Sequence, residues 1–111
     1  MTTISKEKKL ITLINVFTVD PAKQQQLVDL LIQATESSIR HIPGFISASL
    51  HRSLDGAKVA MYAQWRSVEE YQAMRKNAAA LPYMEQALTL AKFESGMYEV
   101  FETFEHLPTH A

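Results

Sequence analysis

Residues 10 to 19, Leu-Ile-Thr-Leu-Ile-Asn-Val-Phe-Thr-Val, are almost all aliphatic, β-branched or aromatic, and the run is too short for a core helix. It reads as a strand. Alternation puts Ile11, Leu13, Phe17 and Val19 on one side and Leu10, Ile14 and Val16 on the other, so both faces carry apolar groups. Asp20-Pro21 then marks a helix start, because the Asp side chain can accept free amide hydrogens and Pro is tolerated at the first helical position. Leu27, Leu30, Leu31 and Ala34, flanked by Val28, Ile32 and Ile39, form a wide apolar stripe expected to continue until Pro43-Gly44 stops it. Phe45 to Ser53 alternates Ile46, Ala48 and Leu50 against Ser47, Ser49 and His51, the period of a half-buried strand. Asp55-Gly56 predicts a hairpin turn into a strand that Trp65 closes. Ser67 with Glu70 three residues on is a capping box, opening a helix through about Lys76. Pro82 opens a third helical piece with Met84, Ala87, Leu88 and Ala91 on one face. Gly96 precedes a last strand, Met97 to Phe104, and the tail Glu105 to Ala111 is expected to fray.

The order strand, helix, strand, strand, broken helix, strand predicts an α+β, ferredoxin-like split βαβ (βαββαβ): an antiparallel four-stranded sheet with helices on one face. One domain spans residues 1–111, with its core at about 10–104, a flexible lead at 1–9 and a tail at 105–111. The uncovered sheet face is apolar, and soluble proteins seldom leave such a patch in water. A homodimer joined through the open sheet face is the expected solution.

Composition removes several function classes. At 111 residues, 47% hydrophobic and 21% charged, the chain suits one modest folded core. A net charge of −1 provides no broad basic field, so nucleic-acid binding is not expected. The absence of cysteine excludes disulfides, thiolate catalysis and Fe–S clusters and is compatible with a reducing, cytoplasmic setting. Lys6, Lys8 and Lys9 precede an apolar run interrupted by Thr12, Asn15 and Thr18, which is no signal peptide, and no stretch reaches membrane-spanning length. There is no glycine-rich phosphate loop. His41, His51, His106 and His110 are dispersed, with Pro108 between the last two, so no metal centre is expected.

Two polar or aromatic positions on apolar strands stand out. Asn15 shares the face of Leu13 and Phe17, and two readings are open: an amide satisfied by neighbouring backbone, or one that orients a substrate oxygen. Trp65, the only tryptophan, is either core filler or a stacking surface with one hydrogen-bond donor. Tyr71, six residues on, packs on the sheet from the second helix. Ser37-Ser38 and Glu69-Glu70 read as helix-surface and capping residues, whereas Tyr62 and Gln64 share the outer face and are expected to meet a partner subunit.

The order of elements, the Pro43-Gly44-Phe45 step, the strand ending Tyr62-Ala63-Gln64-Trp65-Arg66-Ser67 and the segment Tyr98-Glu99-Val100 resemble the antibiotic biosynthesis monooxygenase family over roughly residues 10 to 104. The resemblance implies a dimeric α+β barrel. It also implies a cofactor-independent monooxygenase that uses O₂ as co-substrate on an electron-rich aromatic or quinol-type compound. The alternatives within the resemblance are an isomerase or detoxifying enzyme acting on a small carbonyl metabolite, or a non-catalytic ligand-binding module. In quinone-forming relatives a strand-one Asn, a strand-three Trp and a helical Tyr are implicated, and Asn15, Trp65 and Tyr71 match them. Leu13, Phe17, Leu31 and Met61 would line the substrate pocket. Two positions depart from that branch, which has an Asn where Met61 stands and an Arg where Glu85 stands; Arg66 and Arg75 are cations elsewhere. Haem-degrading relatives take an axial His from the second helical region, and residues 67 to 92 contain none, so haem is disfavoured.

Overall fold

Strand β1 (Ile11–Val19) ends at Asp20, whose carboxylate accepts from the Ala22 amide at 2.9 Å and starts a short 3₁₀ turn, Pro21–Lys23. The computed structural model describes residues 1–109. After the turn come α1 (Gln24–Ser37), a second 3₁₀ turn (Ile39–His41), β2 (Phe45–Arg52), β3 (Lys58–Trp65), α2 (Val68–Arg75), α3 (Leu81–Leu90) and β4 (Ala91–Tyr98). The strands form one antiparallel sheet in the order β2-β3-β1-β4. This is the expected α+β ferredoxin-like arrangement.

Local chemistry sets the joints. Gly56 takes a positive φ in the β2–β3 turn, where the Asp55 carboxylate accepts from the Ala57 amide at 3.0 Å. Ser67 Oγ caps α2 by accepting from the Glu70 amide at 3.2 Å, and Glu70 is also gripped by Arg66, whose Nε donates at 2.7 Å. That hydrogen bond holds the Glu70 carboxyl below the usual glutamate range. Gly44, at φ 93°, leaves room for the same carboxylate, since a Cβ there would lie 2.5 Å from Glu70 Oε2.

Helices cover only one sheet face, and the buried side chains form two clusters. Phe17, Val19 and Val59 pack with Leu27, Leu30 and Leu31 of α1 toward one end. Leu13, Ala63 and Trp65 pack with Tyr71, Met74 and Ala80 at the other. Asn15 lies on β1 between Leu13 and Phe17, opposite Met61 of β3 and Ser95 of β4, at the seam between the clusters.

Several sequence expectations change. The last strand is Ala91–Tyr98, not Met97 to Phe104. Ala91 leaves the helical stripe with an extended backbone, and Phe93 stacks on Phe17 with centroids 5.3 Å apart, a pairing that starts the strand earlier. Gly96 is then no boundary: it pairs with Ile14 inside the strand, where the ring of Tyr98 occupies the space a side chain would need. The first helix does not run unbroken to Pro43, because the chain leaves helical geometry at Ser38. Ser38, expected on the helix surface, is buried and its Oγ has no partner among the described residues. In β2 the alternation slips, since an irregularity makes Ile46 an extra residue between the Phe45–Trp65 and Ser47–Gln64 pairs. Finally, Gln64 is covered by its own chain, being 4% exposed, accepting from Ser47 Oγ at 2.8 Å and donating to the Thr3 carbonyl at 2.8 Å.

Candidate active site

The irregularity at Ile46 lets Phe45 face the helices opposite Trp65, and their rings meet edge to face at 5.4 Å. Trp65 is 1% exposed and touches Tyr71 on its other side, with centroids 5.9 Å apart. Tyr71 reaches this position because the Ser67 cap starts α2 directly after β3, placing the first full turn over the strand end.

Between the two core clusters lies a cavity of about 260 Å³. Its sheet wall carries Leu13, Asn15 and Phe17 from β1 and Met61, Ala63 and Trp65 from β3. Leu31 closes it from α1, and Tyr71 from α2. The seven residues singled out from the sequence thus share one wall-lined space.

The cavity is largely hydrocarbon and aromatic ring. Asn15 is half-buried, and its Oδ1 is shielded from solvent with no hydrogen-bond partner among the described residues. Buried amides are normally paired, because an unmet one costs about 1–3 kcal/mol. Among the described residues no backbone group takes up that oxygen, which leaves it open to a ligand in the cavity.

Other lining groups were not picked out from the sequence. Ser95 lines the cavity from β4, but reading Gly96 as a boundary put it outside any strand. Thr35 and Tyr83 also contribute, Thr35 with its hydroxyl already bonded to the Leu31 carbonyl at 2.8 Å. Arg75 reaches the wall as well, and its spacing of four residues from Tyr71 was the available signal. Glu85 is exposed on α3 and does not line the cavity. Arg66 is held by Glu70 on the outside.

Among the described residues the histidines do not converge. His41 Nε2 lies 2.9 Å from the Glu36 carbonyl, His51 Nε2 lies 3.0 Å from Ser49 Oγ, His106 is in the exposed tail, and His110 lies outside the described residues. Among the described residues no cluster of three or more His, Cys, Asp or Glu side chains could hold a metal ion.

A family model described as antibiotic biosynthesis monooxygenase matches residues 10–86, from β1 into α3. The chain belongs to that family. Among its relatives is tetracenomycin-F1 monooxygenase of Streptomyces glaucescens, 43% identical over 104 residues that cover 94% of this chain and 93% of the relative. Monooxygenase is accordingly the enzyme class of this protein. Similar solved structures include the ActVA-Orf6 monooxygenase of Streptomyces coelicolor in complex with nanaomycin D, 30% identical, with a TM-score of 0.76 over 89% of this chain and 92% of that one. A variant of SnoaB, a cofactor-independent oxygenase from Streptomyces nogalater, shares the fold at 21% identity, with a TM-score of 0.75 over 87% of this chain and 98% of that one.

Proposed function

We propose that this monooxygenase oxidises a flat, electron-rich aromatic substrate with O₂ in the Asn15–Trp65 cavity, without metal, flavin or haem. The observation that carries the reading is the buried amide oxygen of Asn15, without a partner among the described residues and set in a largely apolar cavity beside Trp65 and Tyr71. The same reading gains support from the cofactor-independent relative of like fold.

Without a cofactor the substrate supplies the electrons. For an anthrone-type carbon bearing two hydrogens, loss of one proton gives an enolate that passes one electron to O₂. The resulting radical and superoxide join in a carbon–oxygen bond, and the peroxide takes up a proton. Loss of the second carbon-bound proton and cleavage of the O–O bond release water and leave the carbonyl of a quinone. One oxygen atom ends in product and one in water. Asn15 Oδ1 accepts from a hydroxyl of the substrate while its Nδ2–H donates to the substrate oxygen on which negative charge develops, Trp65 flattens the ring system and offers one N–H, and Tyr71 orients the substrate. Leu13, Phe17, Leu31 and Met61 exclude water, so the charge develops in a medium where a single hydrogen bond counts for more.

The working unit in this reading is a homodimer joined through the open sheet face. Ile14, Val16, Ala60 and Tyr62 are only half-covered there, and the following tail exposes Phe101 at 88% and Phe104 at 89%. Sedimentation of wild type and Val16→Asp tests this, with dimer expected for the first and monomer for the second. No helix among the described residues is long and apolar enough to cross a membrane, and we place the cysteine-free chain in the cytoplasm.

Chelator-treated enzyme with a dihydroxyanthrone tests the chemistry. The expected result is one O₂ consumed per quinone formed, with no hydrogen peroxide. Product formed equally well under nitrogen would point instead to isomerisation or another oxygen-independent reaction.

A further inference from the structure

Among the described residues the lining of the cavity contains one charged side chain, that of Arg75, and no Asp, Glu, Lys or His. Arg75 is the last residue of α2, one turn beyond Tyr71, so the two project from the same helix face. Tyr71 is buried whereas Arg75 is exposed, which makes the tyrosine part of the inner wall and the arginine part of the rim. The ion pairs among the described residues are Lys6–Glu102 and Arg66–Glu70, and Arg75 belongs to neither. Arg66, only nine positions away, shows the contrast: its charge is spent on Glu70.

A cation bordering an otherwise uncharged apolar cavity favours ligands that bring an anion to that border. We infer that Arg75 is a substrate-binding residue, gripping a carboxylate at the edge of an aromatic substrate whose ring system enters toward Asn15 and Trp65. The planar guanidinium fork matches a carboxylate with two parallel N–H···O bonds, which fixes orientation as well as charge. The buried indole forms the deep wall and the exposed guanidinium the mouth, so a molecule held at both ends enters in one direction. The substrate class is thereby narrowed from aromatic compounds in general to aromatic carboxylates. This inference rests on the proposed cavity as the substrate site, but not on the oxidation itself.

The test is binding without turnover. Trp65 is the only tryptophan and lines the cavity, so quenching of its fluorescence reports occupancy. The probes are an anthraquinone carboxylate and the corresponding hydroxymethyl anthraquinone, neither of which can be oxidised by the proposed route. Wild type is expected to bind the carboxylate about tenfold more tightly, the size of one charge-assisted contact at the cavity rim. Arg75→Gln should abolish that preference while leaving the affinity for the neutral probe unchanged, and Arg75→Lys should keep part of it. Arg75 is exposed, and matching thermal melts would show that the variants fold. Equal affinity of wild type for the two probes, including no binding of either, or a preference that survives Arg75→Gln, would overturn the inference. A preference that disappears in Arg75→Gln in an enzyme that does not oxidise anthrones would leave Arg75 assigned and refute the proposed anthrone oxidation alone.

Discussion

Tyr71 meets Trp65 with ring centroids 5.9 Å apart and planes inclined by 61°, joining the start of α2 to the end of β3 across the cavity wall. The contact belongs to the ring of Tyr71 rather than to its hydroxyl. Tyr71→Phe should therefore keep stability within about 1 kcal/mol of wild type while lowering kcat about tenfold or more, as expected for loss of an orienting hydroxyl. Tyr71→Ala should cost about 3 kcal/mol or more, because it empties a buried aromatic site. Steady-state kinetics beside urea denaturation separate the two effects; unchanged kcat in Tyr71→Phe would confine this residue to packing.

Asn15 is expected to trade stability for activity. Its Oδ1 is buried and unpartnered in the free protein, so Asn15→Leu, of similar volume, should raise unfolding stability by about 1 kcal/mol and abolish turnover. A destabilised Leu variant would mean that the amide is structurally satisfied, and would remove the observation on which the function rests.

Gly44 holds the entrance to β2 in a conformation that side chains rarely adopt. Its carbonyl accepts from the Arg66 amide at 2.8 Å, and Glu70 fills the space beside its Cα. Gly44→Ala should lower stability by about 1–3 kcal/mol through backbone strain and displacement of Glu70, measured as a shift of the urea midpoint at unchanged slope.

Arg66–Glu70 should leave a signature in acid. Arg66 lowers the Glu70 pKa in the folded chain, so the contribution of the pair is present above the ordinary glutamate range and disappears as pH falls through the folded value. The difference in Tm between wild type and Glu70→Gln should therefore shrink between about pH 6 and pH 3. Arg66 is exposed and Glu70 only partly covered, so the effect should also weaken in high salt.

Much of this was legible locally. The Asp20 and Ser67 caps, the Asp55-Gly56 turn and the apolar stripe of α1 each act within a few residues, and together they dictate the order of elements. What escaped the sequence depends on neighbours across the sheet. Gly96 looks like punctuation until Tyr98 is seen over it, and Ile46 joins a regular alternation until its strand is paired with β3. The same division runs through the site. Alternation placed Asn15 with Leu13 and Phe17, but only the packed structure shows that no group among the described residues meets its oxygen or that Arg75 reaches the cavity from one helical turn beyond Tyr71.

The most direct measurement is O₂ uptake by chelator-treated wild type, Asn15→Ala and Trp65→Phe with a dihydroxyanthrone, corrected for the uncatalysed rate. Wild-type uptake matched by quinone formation, and reduced at least about tenfold in both variants while they remain folded, is the expected result. Folded variants that consume O₂ at the wild-type rate would contradict the assignment of the chemistry to this cavity.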